Sequence, residues 1–180
     1  MSRFASLAIA STVFTVCTAG MAATPASADT ASLDTLHCPT GTSKTTYDPP
    51  ISRTEVDTTR TIDQKYTGCV GTGAAAGVTS GTHKDSNVTR RSCLQLGSEG
   101  DVSWEIKWNN GKTSKVSAHR VSNLVGAVFT NTFTGKITDG LLAGHGFVET
   151  MTALSPEITE CTLNGGTVSE LNADHTLNVI

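Results

Sequence analysis

The strongest signal of secondary structure in the chain lies in VSWEIKWNNGKTSKV, residues 102–116. Its first half alternates apolar with polar residues, which is the period of a strand with one buried face. The apolar positions are Val102, Trp104, Ile106 and Trp108. The Asn-Asn-Gly tripeptide at 109–111 then supplies residue types that are common in tight turns. We therefore predict a β-hairpin here and an all-β fold class for the chain.

Two registers are compatible with this hairpin. A two-residue loop, Asn110-Gly111, would pair Trp108 with Thr113 and would mix apolar with polar residues across the two strands. A three-residue loop keeps the apolar residues together. It forms the pairs Trp108–Lys112, Trp104–Val116 and Val102–Ala118. We predict this second register, a type I turn followed by a glycine bulge at Gly111.

Alternating segments continue on both sides of the hairpin. They are clearest in Thr54–Tyr66 and Phe147–Leu154, and the most apolar segment, Leu124–Ile137, predicts a central strand. Shorter strands are predicted at 42–47, 78–83, 88–96 and 176–180. Strands at this spacing predict an antiparallel, immunoglobulin-like β-sandwich of about 8–10 strands, with a closed β-barrel as the alternative.

The N-terminal residues 1–28 have the pattern of a secretory signal peptide. Arg3 is their only charged residue, a long apolar run follows it, and Ala26-Ser27-Ala28 fits a signal peptidase site. We predict cleavage after Ala28 and secretion to the extracellular space. A retained membrane anchor and acylation of Cys17 are alternatives that fit the flanking residues less well.

The remaining chain divides into a flexible leader, residues 29–37, and a single disulfide-stapled β domain, residues 38–180. Its four cysteines are Cys38, Cys69, Cys93 and Cys161. An even number of cysteines in an exported chain predicts two disulfides, and three connectivities are open. Cys69–Cys93 with Cys38–Cys161 is the pairing we favour, because neighbouring strands often pair and domain termini often lie close together.

The net charge and the lack of three catalytic or metal-binding motifs argue against several classes of function. The chain carries 13 basic against 16 acidic residues, a formal net charge of −3 at pH 7, which argues against a nucleic-acid or polybasic membrane surface. The sequence contains no C-x-x-C, no H-E-x-x-H and no G-x-S-x-G motif. These motifs carry zinc, metalloprotease and serine-hydrolase chemistry. We therefore predict no metal, no cofactor and no catalytic residues.

Two residues are candidates for binding. Trp108 lies beside the turn of the hairpin, where an exposed indole could anchor a partner, and His145 lies between two glycines that permit close approach. Trp104, four residues earlier on the same strand face, is predicted to be in the core. Glu105 and Glu149 are the best acids for a glycosidase pair, but we predict that both face solvent. The five histidines are interpreted as surface residues. They are His37, His83, His119, His145 and His175.

A series of short motifs in fixed order runs through the domain. They are Cys38-x-x-Gly41-Thr42, Tyr47-x-Pro49-Pro50, Thr79-Ser80-Gly81, Ser92-Cys93, Trp108–Ser114 and Thr134–Gly144. In this order they resemble a family of small, secreted, uncharacterised actinomycete proteins. The resemblance implies export and a β-rich fold, and it implies no activity.

The sequence therefore predicts an exported, non-enzymatic protein that binds an extracellular surface, glycan or protein. A secreted protease inhibitor is the alternative, in which Ser155–Gly166, anchored near Cys161, would present an extended loop. A hydrolase is the third hypothesis. It would require a pocket that brings His119 or His145 beside an acid and a serine.

Overall fold

The computed structural model describes residues 33–180, so the predicted signal peptide and its cleavage site lie outside the described residues. The strands of this part are β1 (Leu36–Ile51), β2 (Val56–Thr67), β3 (Val70–Gly71), β4 (Ser80–Arg91), β5 (Gly100–Trp108), β6 (Thr113–Val125), β7 (Val128–Gly140), β8 (Gly146–Leu154) and β9 (Val168–Val179). The same residues contain one α-helix, α1 (Pro156–Asn164), and 3-10 helices at Gly73–Ala75 and Cys93–Gly97.

The described strands form a closed antiparallel β-barrel rather than a sandwich. Apart from β3, each strand pairs with the next along the chain, and β1 pairs with β2 on one side and with β9 on the other. The two-residue β3 adds to the beginning of β1. The predicted β-sandwich was wrong and the alternative, the barrel, is confirmed. Both architectures have the same two-residue alternation, and pairing of the first strand with the last is what distinguishes them.

The hairpin between β5 and β6 has the predicted register. Trp104 pairs with Val116 and Val102 pairs with Ala118. At the turn, the Trp108 amide donates to the Lys112 carbonyl at 2.9 Å. Gly111 has a φ of +80°, the left-handed conformation that a glycine bulge requires. The three-residue loop is confirmed.

Because the backbone at Gly111 is left-handed, a side chain there is strained even though an added Cβ would meet nothing within 4 Å. We expect Gly111→Ala to lower the free energy of unfolding by about 1 kcal/mol. Urea denaturation of the two proteins measures this difference. An unchanged or higher stability would contradict the bulge, since an ordinary turn position gains from alanine.

Several predicted segments differ from the structure. The predicted strands 78–83 and 88–96 form one strand, β4, and the end of the second is part of the 3-10 helix Cys93–Gly97. The predicted central strand Leu124–Ile137 contains a turn at Gly126-Ala127, so it is the end of β6 followed by β7. The predicted leader overlaps the barrel, because β1 begins at Leu36, which is buried. The segment Ser155–Gly166 forms α1 instead of an extended loop, with Pro156 in its first turn and a left-handed Gly165 at its end.

The strands β4 and β5 are paired over a short stretch, which we call the narrow seam of the barrel. Within the described barrel these strands share two residue pairs, Gly81–Trp108 and Thr82–Lys107, whereas β2 and β4 pair along their whole length. A Cβ on Gly81 would lie 2.5 Å from the indole ring of Trp108. Glycine at position 81 therefore lets Trp108 pack directly against β4 and hold the seam together.

Two apolar clusters occupy the two ends of the barrel. The Trp108 core includes Leu36, Tyr66, Ile106, Trp108, Ile137, Phe147 and Leu177. The Phe129 core includes Tyr47, Ile51, Leu96, Phe129, Met151, Ile158 and Leu171. Because the two clusters are separate, the interior between them is available to polar side chains.

Each core contains one disulfide, and the pairing differs from the one we favoured. Cys38 is bonded to Cys69 in the Trp108 core, and Cys93 is bonded to Cys161 in the Phe129 core. The register of β1 against β2 and β3 sets Cys38 opposite Cys69, with their Cα atoms 4.0 Å apart. The second bond ties the 3-10 helix after β4 to α1. Each should contribute on the order of 3 kcal/mol to stability.

Candidate functional site

The barrel contains a cavity of about 710 Å³ between its two cores. Residues from both faces of β4 and β5 line it, including His83 and Lys84 on β4 and Trp104 and Glu105 on β5. A strand can present both faces to one cavity only where its neighbour has moved away. The cavity therefore opens to the outside where β4 and β5 diverge beyond their two paired residues.

A buried polar cluster, which we call the Glu149 cluster, lies on the cavity wall toward the Trp108 core. It consists of Ser43, Gln64, Tyr66, Glu149 and His175. Glu149 is 1% exposed, and its carboxyl oxygens accept from Gln64 Nε2 at 2.5 Å, His175 Nδ1 at 2.6 Å and the Tyr66 hydroxyl at 3.0 Å. The other ring nitrogen, His175 Nε2, lies 2.7 Å from Ser43 Oγ.

Strand alternation positions every member of this cluster. Glu149 has the same parity as Phe147 and Met151 on β8, and His175 has the same parity as Leu171 and Leu177 on β9. The inward positions of the strands thus carry polar residues at the middle of the barrel. Sequence analysis placed Glu149 and His175 at the surface, and both placements were wrong. The sequence signal that could have revealed them is a polar residue at a strand position that alternation assigns to the apolar face.

His175 is hydrogen-bonded to both Ser43 and Glu149. In serine hydrolases a serine nucleophile, a histidine base and an acid are linked in the same order. Acyl transfer also requires free N–H donors for the developing oxyanion. Ser43 lies in the middle of β1, where the backbone is paired with β2 and with β9. The backbone around Ser43 is therefore used in strand pairing, and the side chains of the cluster are hydrogen-bonded to one another.

Burial raises the pKa of Tyr66 well above its usual value of 10.0, and the adjacent Glu149 charge raises it further. The unfolded chain loses this phenolic proton near pH 10, whereas the folded protein keeps it. Unfolding therefore releases a proton above that pH, and the stability that is fully present below about pH 10 falls as the pH rises.

We expect the melting temperature to fall more steeply from pH 9.5 to about pH 11 in the native protein than in Tyr66→Phe, which lacks the titrating group. Thermal melts followed by circular dichroism at a series of pH values measure both slopes. The variant should be less stable at neutral pH, because it loses a hydrogen bond to Glu149. Parallel curves for the two proteins would contradict the assignment.

Three arginines line the cavity toward the Phe129 core, and we call them the arginine cluster: Arg60, Arg91 and Arg120. In each, the Nε atom is buried and has no hydrogen-bond partner in the part of the chain that the structure describes. Arg60 Nη2 contacts the Asp85 carboxylate at 3.1 Å, and Arg120 Nη2 donates to the Ser98 carbonyl at 2.8 Å.

The three guanidinium groups line the same cavity, and their charges act on one another. Burial lowers the pKa of Arg91, and the charge of Arg60 lowers it further. Burial also lowers the pKa of Arg120, with further lowering by Arg91. Burial raises the pKa of the Tyr47 phenol, and the three guanidinium groups oppose that rise. The cluster is a site of concentrated positive charge inside a chain with a net negative charge.

Aromatic side chains form the wall between the two polar clusters. The ring of Trp104 meets the rings of Phe133 and Phe147 edge-on, with centroids 5.4 Å apart in both pairs. Asn131 Oδ1 and Trp104 Nε1 are also buried without a partner and belong to residues that line the cavity. The cavity thus combines an apolar middle with unpaired hydrogen-bonding groups.

The predicted binding residues lie away from this cavity. Trp108 is 4% exposed and its Nε1 donates to Ser114 Oγ at 2.8 Å, so the predicted surface anchor is a core residue. His145 is half-buried and its Nδ1 lies 3.0 Å from the Leu142 carbonyl oxygen. Trp104, predicted as core, packs against the Trp108 core and lines the cavity. Glu105 is half-buried at the opening.

Within residues 33–180, no helix is long and apolar enough to cross a membrane. No group of three or more His, Cys, Asp or Glu residues in this part of the chain is placed to hold a metal ion. No protein-family model, curated protein or solved structure matches the chain.

Proposed function

We propose that the protein is a non-enzymatic binding protein that holds a small organic molecule inside the barrel. One observation carries the proposal: the cavity of about 710 Å³ is lined by buried polar atoms that have no partner within the described residues. Buried polar groups in native proteins almost always have a hydrogen-bond partner. A bound ligand that supplies those partners accounts for the arrangement.

The dimensions of the barrel support this proposal. Ligand pockets have volumes of about 300–1,000 Å³, with apolar walls and a few convergent polar groups. A closed barrel of about eight strands has an interior wide enough either to be filled by side chains or to hold one small ligand. Here the two cores fill only the ends, and the opening between β4 and β5 provides an entry path.

The proposed site replaces the surface site expected from the sequence. The expectation of an external glycan or protein partner assumed that Trp108 is exposed. In the structure Trp108 is buried. A protease inhibitor would need an extended loop at Ser155–Gly166, where α1 is formed. The cavity supports a ligand-binding function without either feature.

We also propose that the protein is exported. Two disulfides are present, and such bonds form and persist in oxidising compartments. The signal-peptide pattern in residues 1–28 supplies a route to such a compartment. Together they support a carrier or scavenger that acts outside the cell.

Titration of the purified protein with the neutral dye N-phenyl-1-naphthylamine tests the binding proposal. We expect a saturable rise in dye fluorescence with one site per chain, and a higher melting temperature with the dye present. The matched variants are Thr45→Phe and Thr46→Phe. Thr45 lines the cavity, whereas its neighbour Thr46 has the opposite parity on β1 and is not part of the lining.

Thr45→Phe should weaken dye binding about tenfold or more by occupying ligand space, and Thr46→Phe should bind like the native protein. Circular dichroism confirms that both variants are folded. Equal dye affinity in the two variants would place the dye outside the barrel, and failure of the native protein to bind would overturn the proposed function.

A further inference from the structure

We infer that the ligand is an organic acid whose anionic group binds the arginine cluster, with its apolar body along the aromatic wall. This inference rests on the proposed function and adds the chemical class and orientation of the ligand. Three features of the cavity support this ligand class. They are its unbalanced positive charge, the unpaired N–H donors of the three arginines and the apolar side chains between the two clusters.

Positive charge in the arginine cluster is not balanced. Asp85 pairs with Arg60 at 3.1 Å, and neither Arg91 nor Arg120 forms an ion pair within residues 33–180. Two other acids line the cavity: Glu149 is already bonded to Gln64, Tyr66 and His175 in the opposite cluster, and Glu105 is half-buried at the opening. Two guanidinium groups thus lack a counter-ion. An anion in the cavity would provide one.

The donors of this cluster match an oxyanion. Guanidinium groups bind carboxylate, phosphate and sulfonate oxygens through paired N–H donors. The buried Nε atoms of Arg60, Arg91 and Arg120 have no acceptor among residues 33–180. The three positive charges share one cavity and repel one another, and their Nε atoms are buried, so the empty site is destabilised. A negatively charged group would accept from these donors and reduce the repulsion between them.

The rest of the cavity indicates an organic body on that anion. Residues with apolar side chains lie beside the cluster and extend toward Glu149. They are Leu96, Trp104, Phe129, Phe133, Met151 and Leu171. An inorganic anion would leave these groups facing an unfilled space. Asn131 Oδ1, buried without a partner within residues 33–180, and Ser43 of the Glu149 cluster offer hydrogen bonds to a second polar group of the ligand.

Two dyes with the same aromatic body test the inference. 8-Anilinonaphthalene-1-sulfonate differs from N-phenyl-1-naphthylamine by an anionic sulfonate. The native protein should bind the sulfonate dye about tenfold more tightly, because hydrogen bonds to charged groups are the stronger ones. This advantage should shrink as the salt concentration rises.

Arg91→Gln and Arg90→Gln form a matched pair of variants. Arg90 directly precedes Arg91 on β4 and points outward. Its Nε contacts the Glu55 carboxylate at 3.2 Å. Arg91→Gln should lose about tenfold in affinity for the sulfonate dye and less than about twofold for the neutral dye. Arg90→Gln should change neither. Arg120→Gln should repeat the Arg91→Gln result, and it provides a second variant if one of the two folds poorly.

Displacement distinguishes an organic acid from a free anion. Dodecanoate should release the sulfonate dye at micromolar concentration, whereas inorganic sulfate at the same concentration should not. Equal affinity for the two dyes, or identical behaviour of Arg91→Gln and Arg90→Gln, would overturn the inference and leave the proposed function in place. Failure of both dyes to bind would overturn the proposed function as well.

Discussion

Replacing Trp108 by alanine is expected to lower the free energy of unfolding by about 4–5 kcal/mol, the largest effect predicted for a single side chain. The indole is buried in the Trp108 core and packs over Gly81 at the narrow seam between β4 and β5. Its removal leaves a cavity there and deprives Ser114 of a donor. Sequence analysis favoured a surface position for this residue, and a surface residue would change stability by less than about 1 kcal/mol.

Trp108→Phe separates packing from hydrogen bonding. It keeps most of the ring volume but loses the bond from Nε1 to Ser114 Oγ, so a loss of about 1–2 kcal/mol is expected. Ser114 Oγ still donates to the Leu141 carbonyl at 2.7 Å. Urea denaturation measures both variants. A loss below about 1 kcal/mol in Trp108→Ala would show that the indole does not hold the seam.

Replacing Glu149 by alanine is expected to lower the free energy of unfolding by about 4 kcal/mol. Glu149 is the common acceptor for Gln64, Tyr66 and His175, and all three are buried. Its removal takes the carboxylate acceptor from Tyr66 and His175, whereas Gln64 Nε2 still donates to the Tyr66 hydroxyl at 2.8 Å. Burying an unsatisfied polar group is one of the few mechanisms that give losses of this size.

Glu105→Ala is the matched control for this variant. Glu105 also lines the cavity, but it is half-buried at the opening and forms no ion pair within the described residues. A change of less than about 0.5 kcal/mol is expected. Glu149→Gln keeps the side-chain oxygen and should fall between the two. Equal stability of Glu149→Ala and Glu105→Ala would contradict the central role of Glu149 in the cluster.

Features set by neighbouring residues were predicted well. The β5–β6 hairpin has the predicted register because alternation and the Asn-Asn-Gly turn act within residues 102–116. The all-β class follows from the same local patterns. The turn at Gly126-Ala127 is the exception, since an apolar segment on both sides of a two-residue loop looks like one long strand.

Features set by distant pairs were not predictable from one sequence. Closure of the barrel depends on contacts between β1 and β9, which lie at opposite ends of the domain. The disulfide between Cys38 and Cys69 follows from strand neighbours rather than from this closure. Cys38 is opposite Cys69 only because β1 pairs with β2 and β3, whereas our expectation assumed that the chain termini would be joined.

The polar clusters were missed for a different reason. We assigned Glu149 and His175 to the surface, whereas both occupy inward positions, and we assigned no role to Arg60, which lines the cavity. That assignment is sound for a sandwich with a dry core. It fails for a barrel with an internal cavity, where inward charges are the residues that contact a ligand.

The central claim is that an anionic ligand enters the barrel and contacts the arginine cluster. The most direct test records the arginine Nε–H signals by ¹H–¹⁵N NMR during titration with 8-anilinonaphthalene-1-sulfonate, with assignments from single Arg→Gln variants. We predict that the signals of Arg60, Arg91 and Arg120 shift together and saturate at one equivalent, while those of Arg53 and Arg90 stay in place. Shifts confined to Arg53 and Arg90, with the three cavity arginines unaffected at saturating dye, would contradict the account.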